Sequence, residues 1–102
     1  MKADEVFKIH GDANVTVVDV RTGLERRGGH IAGSVHIPLQ QLAERAGELD
    51  TAKDIIVYCL SGTRSAMGVH ILRKRGFAKV QNFSGGWLAW KFRGFPVEGE
   101  KT

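Results

Sequence analysis

Hydrophobic residues are distributed along the chain in two alternating periods. Val15-Thr16-Val17-Val18-Asp19-Val20 is a β-branched run with little alternation, as expected of a strand covered on both faces. Ile55-Ile56-Val57-Tyr58 repeats that pattern, and Val80 marks a third, shorter strand. Between these runs the period becomes helical. Asp4 to Ile9 predicts a short opening helix with Val6, Phe7 and Ile9 available for packing. After Pro38, the residues Leu39, Leu42, Ala43, Ala46 and Leu49 fall on one stripe and predict an amphipathic helix over 39–49. A helix from about Ser65 to Arg75 follows the second strand, with Ser65 as N-cap, a basic last turn and Gly76 at C′. Gly85-Gly86 opens a last short helix, Trp87 to Phe92, and Gly94, Pro96 and Val97 end the pattern. Strands alternating with helices at this spacing imply a parallel sheet with helices on both faces.

With 102 residues the chain reads as one domain over 1–102. No apolar run approaches the ~20 residues of a bilayer span. The polar start, Met1-Lys2-Ala3-Asp4-Glu5, does not read as a signal peptide. A cytoplasmic location without a membrane partner, or a domain cut from a larger protein, is the expectation, with a monomer as the default. The net charge of +4 favours small anions. Its carriers, Arg26-Arg27, Arg73-Lys74-Arg75 and isolated lysines, are scattered over helix faces and ends, which argues against a nucleic-acid surface. A single cysteine excludes internal disulfides and thiolate-rich metal clusters. His36 and His70 have no metal-ligand spacing.

That cysteine carries the candidate chemistry. Cys59 follows the strand 55–58 directly and precedes the helix from Ser65, so Cys59-Leu60-Ser61-Gly62-Thr63-Arg64 is a strand-to-helix loop at the carboxyl edge of the sheet, where open α/β folds bind ligands. Loop amides and a helix N-terminus there form an anion site, and a thiolate is itself the anion. With Arg64 nearby, these donors should depress the thiol pKa and make Cys59 a nucleophile. A buried inert cysteine is the plainer alternative, but it gives no reason for a Ser-Gly-Thr-Arg loop and a helix start immediately after it. Nothing in the sequence places a histidine base beside Cys59, as a papain-like protease requires. Cysteine phosphatases use a similar loop with one more residue between cysteine and arginine. Here that position holds Ser65, and the shorter loop suits a bound sulfur atom better than a phosphate.

Tyr58-Cys59-Leu60-Ser61-Gly62-Thr63-Arg64-Ser65 resembles the persulfide loop of the rhodanese-like sulfurtransferases. Upstream, Asp19-Val20-Arg21, Glu25, Gly29-His30-Ile31, Gly33-Ser34 and Ile37-Pro38 resemble the first signature of that family. Downstream, Gly85-Gly86-Trp87-Leu88-Ala89-Trp90 and Gly94-Phe95-Pro96-Val97 resemble its closing segment. The resemblance covers about Val17 to Val97. It implies a three-layer α/β/α fold around a mostly parallel sheet of five strands, and a two-step reaction without metal or organic cofactor. In that reaction Cys59 takes a sulfane sulfur from thiosulfate or a related persulfide donor. It then passes the sulfur to cyanide or to a thiol acceptor, such as glutathione or a protein thiol. By position the resemblance gives Cys59 as the catalytic residue, the backbone of Leu60, Ser61, Gly62, Thr63, Arg64 and Ser65 as the persulfide cradle, and Arg64 as its charged edge. Leu60 stands where many thiosulfate-using relatives carry a basic or polar residue, so a persulfide-relay or interaction module serving a protein partner or fused domain, rather than a free-standing thiosulfate–cyanide enzyme, is the alternative. Arg26, His36 and Gly68-Val69 are further departures, none of which touches the cysteine.

Other residues carry plainer readings beside sharper ones. Asp19 and Arg21, at a strand end, could face the active-site mouth or form a structural ion pair. Glu25 could contact substrate or lie on a helix surface. His30, in a Gly-flanked loop, is expected to bond backbone rather than to act as a base. Trp90 is expected in the core, with Trp87 either beside it or at the pocket rim. Gly85-Gly86 reads as a tight turn or a close backbone approach rather than a phosphate loop.

Overall fold

The computed structural model describes residues 1–99. It contains α1 (Ala3–Ile9), β1 (Val15–Asp19), α2 (Gly23–Arg27), β2 (His30–Ile31), β3 (Val35–His36), α3 (Leu42–Arg45), β4 (Asp54–Tyr58), α4 (Thr63–Lys74), β5 (Val80–Asn82), α5 (Gly86–Phe92) and β6 (Val97–Glu98). Four strands form a parallel sheet in the order β3-β1-β4-β5, and β2 pairs antiparallel with β6 in a separate ribbon. The five-stranded sheet implied by the resemblance is thus four strands plus this small ribbon.

The alternation of β1 and β4 sorts the interior into two layers. Val18, Ile55 and Val57 point to one face, where Leu42 of α3 and Val69 and Leu72 of α4 cover them. Val17, Ile56 and Tyr58 point to the other, against Val6 of α1 and Trp90 of α5. Trp90 is fully buried, as its place in the sequence predicts, and its indole N–H donates to the Pro96 carbonyl at 2.8 Å. This three-layer α/β/α arrangement is the one the strand–helix alternation implies.

The register positions the candidate site. Asp19 stands beside His36 on one side and Tyr58 on the other, so β1, β3 and β4 end level, and Cys59 is the next residue along β4. Alternation continues past the strand: Tyr58 joins the α1/α5 layer and Cys59 the α3/α4 layer.

Two helix boundaries differ from the sequence reading. The helix over 39–49 is instead three short pieces: a 3-10 turn Leu39–Gln41, α3, and a second 3-10 turn Ala46–Glu48. Only Leu42 and Ala46 of its apolar stripe are fully buried, and Gly47 disfavours a continuous helix by ~1 kcal/mol. Helix α4 begins at Thr63 with Gly62 as its cap, so Ser65 lies inside the first turn rather than at the cap. Among the described residues, no helix is long and apolar enough to cross a membrane.

Candidate active site

Three residues separate the last position of β4 from the cap of α4, and a left-handed glycine makes so short a connection feasible. Gly62 has φ +100, and a β-carbon there would lie 2.4 Å from the Ser84 carbonyl oxygen. No other residue type fits that turn without displacing backbone. Because glycine has no side chain, it leaves the first amides of α4 without a cap.

The sulfur of Cys59 fills that role. The Gly62 amide donates to Sγ at 3.1 Å and the Ser65 amide at 3.4 Å, while the Ser65 hydroxyl lies 3.4 Å from the same atom. Ser65 is the third helical residue, and its N–H has no partner within the helix. A thiolate here receives these donors and sits at the positive end of a twelve-residue helix.

A second set of bonds fixes the loop from behind. The Trp87 amide donates to the Cys59 carbonyl at 2.8 Å, and the Leu88 amide to the Leu60 carbonyl at 3.2 Å. The Asn82 side-chain amide donates to the Gly62 carbonyl at 3.2 Å. The carbonyls of Cys59, Leu60 and Gly62 are thereby held by α5 and β5, while the Gly62 and Ser65 amides face the sulfur. Gly86, at φ +58, permits this approach, since a β-carbon there would lie 2.5 Å from the Cys59 carbonyl oxygen. It is the close backbone approach anticipated for the Gly85-Gly86 pair.

Cys59 is 1% exposed and belongs to the same core cluster as Val57, Val69 and Leu72. Burial pushes its thiol pKa up and is the largest single influence on it. The Ser65 hydroxyl and the amides of Ser65, Ser61 and Gly62 together outweigh it, and the pKa ends below the ordinary value. The sulfur is therefore enclosed and still ionises more readily than an ordinary thiol.

Arg64, expected as the charged edge of the cradle, is paired with a carboxylate. Its guanidinium forms a two-point bond with the Glu25 carboxylate, at 2.7 and 2.9 Å, across 39 residues of sequence. Glu25 also accepts from the Thr22 amide, closing the capping box of α2. The Arg64 bond, opposed by partial burial and aided by Thr22, holds the Glu25 carboxyl down to about 2. Leu60 and Ser61 are exposed at the mouth, as is Thr63 at the start of α4; Gly62 and Ser65 are buried.

Asp19 and Arg21 form the structural pair that the plainer reading describes. Both are buried, and the Asp19 carboxylate accepts from Arg21 Nε at 3.0 Å and Arg21 Nη2 at 2.9 Å. It also accepts from the Tyr58 hydroxyl at 3.0 Å and from Arg26 at 3.3 Å. Arg21 continues to the Gly29 carbonyl at 2.8 Å and stacks over the Trp87 ring at 4.8 Å. Trp87 thus lies between Arg21 and the Cys59 carbonyl, a position intermediate between core and rim. Burial, with the charge of Asp19 beside it, pushes the Tyr58 hydroxyl up to about 12. The cluster is satisfied within itself and ties β1, β4 and the Gly29 turn together.

The histidines stay outside this arrangement. His36 Nε2 bonds the Arg21 carbonyl at 2.8 Å, and His30 Nε2 lies 3.7 Å from Glu98 across the β2–β6 ribbon. His30 meets the Arg26 backbone, in line with the backbone bond expected there, although that contact is too loose to give its buried Nδ1 a close hydrogen bond. Four contributors escaped the sequence reading: Asn82, Ser84, Tyr58 as a hydroxyl donor, and the Trp87 amide. The last three act through backbone contacts or a partner distant in sequence and leave no local signal. Asn82, polar at the end of a short strand, was the one detectable hint.

The class these features define is a parallel α/β domain with a backbone-cradled cysteine at the carboxyl edge of its sheet. A rhodanese-like domain model matches residues 2–93, and the chain belongs to this family. Among its relatives, the putative sulfur carrier protein YrkF of Bacillus subtilis (strain 168) is 40% identical over 83 residues, covering 81% of this chain but 45% of its own length. The thiosulfate sulfurtransferase GlpE of Shewanella oneidensis is 32% identical over 90 residues, covering 88% of this chain and 89% of its own. The crystal structure of the Alr3790 protein from Anabaena sp. superposes with a TM-score of 0.89 at 33% identity, over 97% of this chain and 81% of that one.

Proposed function

We propose that this protein is a sulfurtransferase that carries a sulfane sulfur on Cys59 as a persulfide. The Cys59 thiolate attacks the outer sulfur of the donor. With thiosulfate, a new S–S bond forms, the old one breaks, sulfite leaves with the bonding pair, and Cys–S–S⁻ remains. An acceptor thiolate or cyanide then attacks the outer sulfur and frees the Cys59 thiolate. Oxidation states are exchanged between donor and acceptor, so no external oxidant is required. The backbone of Leu60, Ser61, Gly62, Thr63, Arg64 and Ser65 holds the negative persulfide as it holds the thiolate. Asp19 and Arg21 support the loop from the neighbouring strand and stay out of the chemistry. The proposed setting is a cytoplasmic monomer, one domain over 1–102, using no metal or cofactor.

The observation that carries this reading is the convergence of the Gly62 amide, the Ser65 amide and the Ser65 hydroxyl on a single sulfur. Family membership and relatives named as sulfurtransferases support it. Incubation with thiosulfate, read by intact mass, should add one sulfur atom to the wild type and none to Cys59→Ser. Cyanide should then release that sulfur as thiocyanate. A Cys59→Ser protein that still yields thiocyanate removes the proposal.

A relay to a thiol partner, rather than free-standing thiosulfate–cyanide turnover, is favoured by Leu60, an apolar side chain 38% exposed beside the sulfur. YrkF, named a putative sulfur carrier protein, is consistent with such a role. In that case Cys59 should load readily and discharge to glutathione or a protein thiol much faster than to cyanide.

A further inference from the structure

The cationic side chain of the loop Cys59-Leu60-Ser61-Gly62-Thr63-Arg64 is Arg64, and it is already paired. Arg64 lies close enough to Cys59 for the two charges to interact, yet both ends of its guanidinium fork are bound to Glu25. Helix α2 delivers Glu25 there through the Thr22 capping box, which fixes the carboxylate before it meets Arg64. The side chains of Arg64 and Glu25 are 35% and 28% exposed, so the pair sits at the rim, where an entering donor meets it. Leu60, the residue after Cys59, is exposed and apolar, as is Leu88 on α5, whose amide is bound to the Leu60 carbonyl. The nearest loop amides, those of Gly62 and Ser65, are directed at Cys59 Sγ. A dianion approaching the thiolate past this edge therefore meets a neutral ion pair where an unpaired Arg64 would have offset repulsion.

We propose that Glu25 is a specificity-determining residue: by neutralising Arg64 it biases the site against doubly charged thiosulfate and toward alkyl persulfides of low charge. The inference rests on the sulfur-carrier reading and names its donor class. In the favoured step, the Cys59 thiolate attacks the outer sulfur of R–S–SH. The Cys59–S bond forms, the donor S–S bond breaks, and R–S⁻ departs, leaving Cys59–S–SH, which loses its proton to solvent. With thiosulfate the same step must bring a dianion against a thiolate. Glu25 touches neither reacting atom and acts through Arg64.

The test compares second-order rates of Cys59 sulfur loading, read by intact mass, from thiosulfate and from 2-hydroxyethyl persulfide. Glu25→Gln keeps the oxygen that caps Thr22 but releases the Arg64 charge, and should raise the thiosulfate-to-persulfide rate ratio about tenfold. Arg64→Gln leaves the Glu25 charge unopposed and should lower the ratio. The double variant should return it to within about twofold of wild type, because the gain flows through Arg64. Raising the salt concentration should shrink the Glu25→Gln shift, which a merely structural effect would not do. Loading with a ratio unmoved or lowered in Glu25→Gln, or a gain that persists in the double variant, overturns this inference alone. Loading of the wild type from neither donor overturns the sulfur-carrier reading and this inference with it.

Discussion

Tyr58 and Cys59 are neighbours on one strand end, equally buried, and their protons are held in opposite ways. Burial pushes both pKa values up. At Tyr58 the adjacent charge of Asp19 adds to that push, and the hydroxyl rises to about 12. At Cys59 the Ser65 hydroxyl and three backbone amides reverse it. The alternation of β4 is what separates the two, sending Tyr58 to a face lined by charged side chains and Cys59 to the start of a helix. What surrounds a buried group, rather than burial as such, sets its charge state. The tyrosine side is a closed network in which Asp19, Arg21, Arg26, Ser34 and Tyr58 satisfy one another. The cysteine side is open-handed: its donors face an atom that can be replaced by a longer anion.

The strongest way to break the contrast is to remove the centre of the tyrosine-side network. Asp19→Ala leaves Arg21 buried without its carboxylate and should cost about 3–5 kcal/mol in urea unfolding. A loss under 1 kcal/mol would mean that the pair is not structural. On the cysteine side, Gly62→Ala forces a β-carbon into the Ser84 carbonyl at a left-handed position, and should cost about 2–3 kcal/mol. It should also raise the Cys59 thiol pKa, because the 3.1 Å amide bond is displaced; alkylation rate against pH reads this directly. Tyr58→Phe removes the hydroxyl that donates to Asp19 and accepts from the Ile31 amide, for about 1–2 kcal/mol, and should leave cysteine alkylation unchanged. Coupling between the two would show as a shifted alkylation profile.

The smallest expected effect concerns the link at the mouth. Glu25 titrates at about 2 in the fold, against 4.5 in an open chain, so its pairing contributes stability in full above pH 4.5 and loses it as pH falls from there through 2. Both partners are partly exposed, and Glu25→Gln should cost about 1 kcal/mol at pH 7. The difference from wild type should close in thermal melts taken between pH 4.5 and 2. A constant difference over that range would assign the loss to the helix cap instead.

The strands β1 and β4 and the loop between Cys59 and α4 were legible because their signals are local: β-branched runs, then a glycine-containing turn with a helix behind it. The start of α4 was misplaced by two residues because serine is a strong capping type. Here a sulfur caps the helix from a residue outside it, and glycine takes the cap position. The segment 39–49 misled because an apolar stripe at positions 39, 42, 46 and 49 suits consecutive 3-10 and α turns as well as one helix. Cradle orientation depends on the Trp87 and Leu88 amides reaching back to Cys59 and Leu60, and the charge of Arg64 depends on Glu25. Neither distant partnership leaves a mark in the sequence around the cysteine.

The central claim is that backbone and hydroxyl donors hold an enclosed sulfur in its charged form. It is tested most directly by following thiolate absorbance near 240 nm against pH for the wild type, Ser65→Ala and an unfolded peptide spanning residues 55–66. The folded wild type should titrate below the peptide, and Ser65→Ala should lie between them. A wild-type midpoint at or above that of the peptide would show that burial wins and would contradict the account.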